Sequence, residues 1–193
     1  VLIIGAGPSG LLLGQLLPAL KESTCKRSEG RQNPNWDRLP GKCDWTFCPS
    51  GGTRGERRIA LVLIVSDYAG SHEYSLAGAA YDERRVAAML ASHGFSLTQG
   101  IAADRKSLQR AIRTFRQRSK ACDVAIVYST GHGIEHAGKP YLLPGDYPLR
   151  GGFGPALLRK HGLPVAGIAS ACAAGKLNLT FFAGCRSLAS SFR

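Results

Sequence analysis

The order of apolar and amphipathic segments predicts an α/β fold with a doubly wound, mostly parallel sheet and flanking helices. Three largely apolar runs, at residues 59–65, 123–128 and 177–182, have the length and the β-branched and aromatic content of strands buried on both faces. Segments with apolar residues at helical spacing separate these runs. Strands that alternate with helices favour a parallel sheet joined by right-handed crossovers.

The 193 residues are enough for one ordinary domain and a short extra piece. We divide the chain into residues 1–20, 21–57 and 58–193. The middle segment is polar, basic and rich in Gly, Pro, Asn and Ser, without a sustained hydrophobic period. This composition predicts a linker or a disordered segment.

The first segment reads as a strand at residues 1–4, a glycine-rich turn and a helix at residues 11–17. The glycines of the turn, in G-x-G-x-x-G spacing, are Gly5, Gly7 and Gly10. This pattern resembles the dinucleotide-binding start of flavoprotein monooxygenases of the aromatic-ring hydroxylase type. The resemblance implies that the glycines would approach the pyrophosphate of a cofactor such as FAD.

The remainder of that fingerprint is missing. No apolar strand precedes Glu29, which would have to hold the ribose, and Pro18 interrupts the helix. We therefore expect a remnant of a β-turn-α unit that is either docked on the main domain or frayed, and we expect no cofactor.

The main domain begins with the strand at 59–65. The next helix carries apolar positions up to Leu90 and stops at His93-Gly94. A strand at 95–101 follows, and Asp104 can cap a helix that carries Leu108, Ile112 and Phe115.

The second half of the domain continues the alternation. One strand ends at Ser129, and a short return strand is predicted at 141–143. Helices are predicted at 157–160 and 165–174, and the last strand leads to Cys185.

Reactive side chains follow two of the predicted strands. His132 lies between Gly131 and Gly133, which we expect to leave the approach to the imidazole unobstructed, and Cys185 follows the last strand. Neighbouring parallel strands lie about 4.8 Å apart and end at the same edge of a sheet, where α/β folds place their sites. A thiol beside an imidazole can serve as a nucleophile. The rival nucleophile, Cys172, lies in a small-residue helical stretch, and we expect it to be core packing.

Five segments, taken together, have the order seen in caspase-like peptidases. The chain from residue 57 to 193 resembles the bacterial relatives of the caspase and metacaspase large subunit, in clan CD and peptidase family C14. The resemblance rests on residues 58–64, 76–82, 128–133, 141–146 and 183–186.

The resemblance implies a cysteine endopeptidase that hydrolyses peptide bonds in polypeptide substrates without a cofactor. Cys185 would be the nucleophile and His132 the general base. The backbone N–H groups of Gly133 and Cys185 would stabilise the oxyanion. Asp82 and Asp146 also match family positions, although capping or turn formation explains them equally well.

The chain departs from the family near Cys185. Ala183 stands where relatives that cut after Arg or Lys carry an acidic residue, and residues 186–189 replace a polar run. The sequence ends eight residues after Cys185, so we expect the C-terminal small-subunit part to be missing and a sheet edge to be open. Two alternatives stay open: a catalytically inactive, truncated caspase-like binding module and an FAD-dependent oxidoreductase fragment.

Charge, cysteine content and apolar run length argue against specific nucleic-acid binding, metal binding and a membrane span. The net charge of +12 is spread along the chain, which favours loose affinity for polyanions over a specific nucleic-acid surface. The six cysteines and the acidic residues form no zinc or calcium pattern, so we expect no metal. Cysteines in apolar segments suggest a reducing, cytoplasmic location, and no run of 18 apolar residues predicts a membrane span. The sequence leaves the oligomeric state open.

Overall fold

A five-stranded sheet, parallel at every pairing, forms the centre of the molecule. The structure, a computed structural model, describes residues 2–5, 55–69, 72–101 and 104–184. The strand order is β1-β8-β4-β2-β3. These strands are β1 (Leu2–Gly5), β2 (Arg58–Ile64), β3 (Phe95–Ile101), β4 (Val124–Thr130) and β8 (Leu177–Ala183).

A second, smaller sheet, four α-helices and two short 3₁₀ helices complete the described part. The small sheet contains β5 (Gly133–His136), β6 (Lys139–Leu142) and β7 (Leu163–Pro164). The α-helices are α1 (Ala77–Ser92), α2 (Arg105–Ser119), α3 (Pro155–His161) and α4 (Val165–Ala169). Two short 3₁₀ helices cover His72–Tyr74 and Leu149–Gly151. Within the described residues, no helix has the length and apolar character needed to cross a bilayer.

The main sheet is buried on both faces, as its apolar sequence predicts. Along β2, Ile59, Leu61 and Leu63 enter one core, while Ala60 and Val62 enter the core on the opposite face. Every residue of β4 is buried. This confirms the α/β fold with a mostly parallel sheet and flanking helices, since a strand buried on both faces must be apolar throughout.

The first half of the main domain follows the predicted elements closely. Gly94, at a φ of 76°, ends α1 in the left-handed conformation that glycine adopts easily. Asp104 caps α2 by accepting a hydrogen bond from the Ser107 backbone N–H at 2.9 Å. The predicted strand at 95–101 is β3.

Two expectations about the second half were wrong. The helix predicted at 165–174 ends at Ala169, so Cys172 lies beyond it, although Cys172 is buried as expected. The β8 edge that we expected to be open is paired instead with β1, from Leu2 opposite Leu179 to Gly5 opposite Phe182. The N-terminal strand is therefore docked on the main sheet, while residues 6–20, with Gly7 and Gly10, lie outside the described residues.

The small sheet contains a hairpin whose second strand, β6, overlaps the return strand predicted at 141–143, whereas its first strand, β5, was not predicted. β5 and β6 are antiparallel and are joined by Ala137 and Gly138, which have φ values of 49° and 72°. Positive φ at both residues of a two-residue turn matches the twist of the flanking strands. The hairpin starts directly after His132, so it fixes the main chain on that side of the imidazole.

Candidate active site

The register of β4 and β8 relates the chain positions of His132 and Cys185. The two strands are parallel neighbours, and Thr130 pairs with Ala183. His132 and Cys185 each lie two residues beyond this pair. The intervening glycines are also close, because a Cβ on Gly184 would lie 3.1 Å from the carbonyl oxygen of Gly131. Cys185 itself lies outside the described residues.

The imidazole of His132 is held by a backbone carbonyl. Its Nε2 lies 2.7 Å from the carbonyl oxygen of Tyr74, at the end of the first 3₁₀ helix. A carbonyl oxygen can only accept a hydrogen bond, so this contact assigns the proton of the neutral ring to Nε2. Nδ1 is then the nitrogen that carries the lone pair and can accept a proton from a nucleophile.

A second tyrosine contacts His132 at both its backbone and its ring. The backbone N–H of His132 donates to the hydroxyl of Tyr68 at 2.6 Å, and the two ring centroids lie 4.6 Å apart. Burial raises the pKa of Tyr68, while the hydrogen bond from His132 partly offsets this effect. Tyr68 is therefore an uncharged phenol at neutral pH.

The hairpin directs the backbone N–H of Gly133 away from its partner strand. Leu143 donates to the carbonyl of His132 at 2.8 Å, so these two residues stand at a hydrogen-bonding position of the ladder, with the Tyr68 hydroxyl bridging the His132 N–H and the Leu143 carbonyl. The adjacent pair, Gly133 with Leu142, is then a non-hydrogen-bonded pair. The Gly133 N–H consequently points away from β6, and a group on that side can accept from it.

Gly131 is closely packed against core side chains, while the expected open approach to the imidazole stays a prediction. Its φ is 152°, and a Cβ there would lie 3.0 Å from both Leu142 Cδ1 and Val65 Cβ. The same Cβ would lie 3.2 Å from the Tyr68 hydroxyl oxygen. Glycine is required at 131 because core side chains occupy the space beside it.

The rival thiol and Asp146 have structural explanations. Burial raises the pKa of Cys172 to about 11, and its Sγ donates to the carbonyl of Leu179. Asp146 accepts from the backbone N–H of Arg105 at 2.9 Å and so caps α2. Asp82 lies on α1, and burial together with its charge raises the pKa of Tyr128 to about 12.

Sequence reasoning missed Tyr68 and Tyr74. Both contact His132 from loops that follow β2, far away along the chain. Neither tyrosine has a sequence pattern that would reveal the contact. In the described residues, no group of three or more His, Cys, Asp or Glu side chains could hold a metal ion.

Comparison with known proteins assigns the class. A family model of the caspase domain, peptidase C14, matches residues 57–185. The chain therefore belongs to the caspase domain family. No curated protein matches it. The match begins at residue 57, and no comparison supports the flavoprotein resemblance of residues 1–20.

A solved structure from Geobacter sulfurreducens, a structural genomics target, is also similar. It shares 21% sequence identity with the chain at a TM-score of 0.46. The match covers 67% of this chain and 50% of that protein, so the chain spans half the length of this relative.

Proposed function

We propose that the chain is a caspase-like cysteine endopeptidase domain with Cys185 as nucleophile and His132 as general base. The observation that supports this best is the shared register of β4 and β8, with both residues two positions beyond the Thr130–Ala183 pair. Membership of the caspase domain family adds that the substrates are polypeptides. The proposal needs no cofactor.

The proton assignment of His132 defines the first step. Nε2 donates to the Tyr74 carbonyl, so Nδ1 accepts the proton of the Cys185 thiol. The thiolate then attacks the carbonyl carbon of the peptide bond, with the charge of the protonated imidazole beside it. Throughout the step, the Tyr74 contact keeps the ring in one orientation.

Groups that follow β4 and β8 stabilise the oxyanion and protonate the leaving group. The oxygen of the tetrahedral intermediate accepts from the N–H of Gly133, which the hairpin directs away from β6, and from the N–H of Cys185. The protonated His132 gives its proton to the leaving amine. Water, deprotonated by the same imidazole, then releases the acyl group from Cys185 and restores the thiol.

The test is the pH dependence of Cys185 alkylation by iodoacetamide, read by peptide mass spectrometry. An ordinary thiol has a pKa of about 8.5, so only about 1% is thiolate at pH 6.5. We expect rapid labelling of Cys185 at pH 6.5, and about a 100-fold loss in His132→Ala if the dyad ionises the thiol fully.

The control is Cys172→Ala, which removes the buried rival thiol and should leave the labelling of Cys185 unchanged. An ordinary-thiol profile at Cys185, the same in His132→Ala, would refute the dyad. That result would favour the alternative, a catalytically inactive caspase-like module that acts by binding.

Peptidase activity has its own measurement. Incubation with a peptide library of mixed composition should give cleavage products that disappear in Cys185→Ala, a loss on the order of 10³-fold or more. The library also gives the cleavage preference, which Ala183 prevents us from taking over from relatives that cut after Arg or Lys.

A further inference from the structure

Tyr68 contacts the candidate active site with both its hydroxyl and its ring. It lies in the loop after β2 and is 4% exposed. Its hydroxyl accepts from the His132 N–H at 2.6 Å and donates to the carbonyl of Leu143 at 3.3 Å. The single hydroxyl therefore joins the residue that carries the imidazole to the segment that follows β6.

The ring of Tyr68 restrains the imidazole as well. The two rings lie 4.6 Å apart at an interplanar angle of 49°, and the ring of Tyr74 meets the imidazole edge-on at 6.5 Å. Together with the hydrogen bond from Nε2 to the Tyr74 carbonyl, these contacts restrain both the backbone and the ring plane of His132.

Gly131 provides the space for the Tyr68 hydroxyl. A Cβ at this position would lie 3.2 Å from the hydroxyl oxygen, and the glycine's φ of 152° is one that residues with a side chain rarely adopt. The Gly131–His132 segment and Tyr68 thus fit each other closely, without room for a side chain at 131.

We propose that Tyr68 is a positioning residue that sets the location of the His132 imidazole relative to Cys185. This inference rests on the proposed function. Tyr68 does not take part in proton transfer, because its burial and raised pKa keep the phenol protonated at neutral pH. It acts through the backbone N–H and the ring face of His132.

The consequence of losing the hydroxyl follows from geometry. Without the hydroxyl, the His132 N–H and the Leu143 carbonyl lose their shared partner, and the segment that carries the imidazole can shift. A displacement of about 1 Å in a catalytic group can cost about 100-fold in rate. An imidazole farther from Cys185 stabilises its thiolate less, so the thiol pKa moves up toward its ordinary value.

The test compares Tyr68→Phe with Tyr147→Phe. Tyr147 is also buried and its hydroxyl donates to the Gly152 carbonyl at 3.0 Å, so the second variant loses a comparable hydrogen bond, one that joins two residues after β6 and does not involve His132. The readouts are the pH profile of Cys185 alkylation and the melting temperature of each variant. We expect Tyr68→Phe to shift the midpoint of the labelling profile upward by about one pH unit, which lowers the labelling rate about tenfold at pH values well below the native midpoint.

Tyr147→Phe should keep the native labelling profile, although its melting temperature should fall about as much as that of Tyr68→Phe, because each variant loses one buried hydrogen bond. An unchanged profile in Tyr68→Phe, or an equal shift in both variants, would overturn the positioning role. If labelling of the native protein does not depend on His132, then both this inference and the proposed function fail. If labelling does depend on His132 but the pH profile of Tyr68→Phe equals the native one, only the positioning role fails.

Should Tyr68→Phe not fold, 3-fluorotyrosine at position 68 gives the same test with the shape nearly preserved. Fluorine makes the phenol oxygen a weaker acceptor for the His132 N–H. The positioning role then requires a smaller upward shift in the same direction, and an unchanged profile would overturn it.

Discussion

Gly131 is a residue of the candidate site at which even a methyl group should destabilise the fold. The new Cβ would press on Leu142 and Val65, which are fully buried, at a φ that L-residues rarely adopt. Overpacking and backbone strain each cost about 1–3 kcal/mol, so Gly131→Ala should lower the free energy of unfolding by about 2–6 kcal/mol. Urea denaturation followed by circular dichroism measures this.

The matched control for that substitution is Gly167→Ala. Gly167 lies in α4, and a Cβ there has no heavy atom within 4 Å. Since alanine is the better helix former, the variant should be unchanged or up to about 1 kcal/mol more stable. Equal stabilities of the two variants would contradict the packing argument for Gly131.

At the scale of one element, Asp104 determines how α2 begins. Hydrogen bonds from Ser107, first from its side chain and then from its backbone, hold the pKa of Asp104 below its usual value. Because the pKa of Asp104 is lower in the folded than in the unfolded protein, its carboxylate stabilises the fold fully above the unfolded-state pKa of about 4. This stabilisation is lost as the pH falls through the folded-state pKa.

We therefore expect Asp104→Ala to melt a few degrees lower than the native protein at pH 7, with a smaller difference at pH 3. Asp104→Asn keeps an acceptor at the cap and should melt close to the native protein at pH 7. Thermal melts of the three proteins at both pH values check this. A constant difference between native and Asp104→Ala would show that the charged cap is not the cause.

The elements differ in how well the sequence predicts them, and the reasons are physical. β2, β3, α1 and α2 are long or strongly periodic, and Gly94 and Asp104 mark their ends. The helix at 165–174 was predicted too long, because small residues such as Ala171 and Ala174 suit a helix and a buried loop equally. β5 has only four residues, too few for a periodic signal.

The candidate site was predicted in part for a similar reason. His132 follows a recognisable buried strand, so local pattern is enough to single it out. Its partners Tyr68 and Tyr74 reach it from the loop after β2, and contacts between distant parts of the chain leave no periodic signal. The division at residues 20 and 57 stays a prediction, as does the dyad.

At the scale of the whole molecule, β1 covers the side of β8 that lies away from β4. Deletion of residues 1–5 would expose unpaired N–H and C=O groups along β8, a template for pairing with another chain. We expect the shortened protein to melt at a lower temperature and to associate in a concentration-dependent way. Light scattering after size-exclusion chromatography measures the mass. A monodisperse protein of unchanged mass and melting temperature would show that β1 contributes little.

The pairing of β1 with β8 also has a consequence for the order of folding. It joins Leu2 to Leu179, whereas β2 pairs with β3 and β4 over much shorter stretches of chain. Because the entropy lost on closing a loop grows with its length, contacts between distant residues form late. β1 can therefore take its place in the sheet only after β8, its partner strand, has been synthesised.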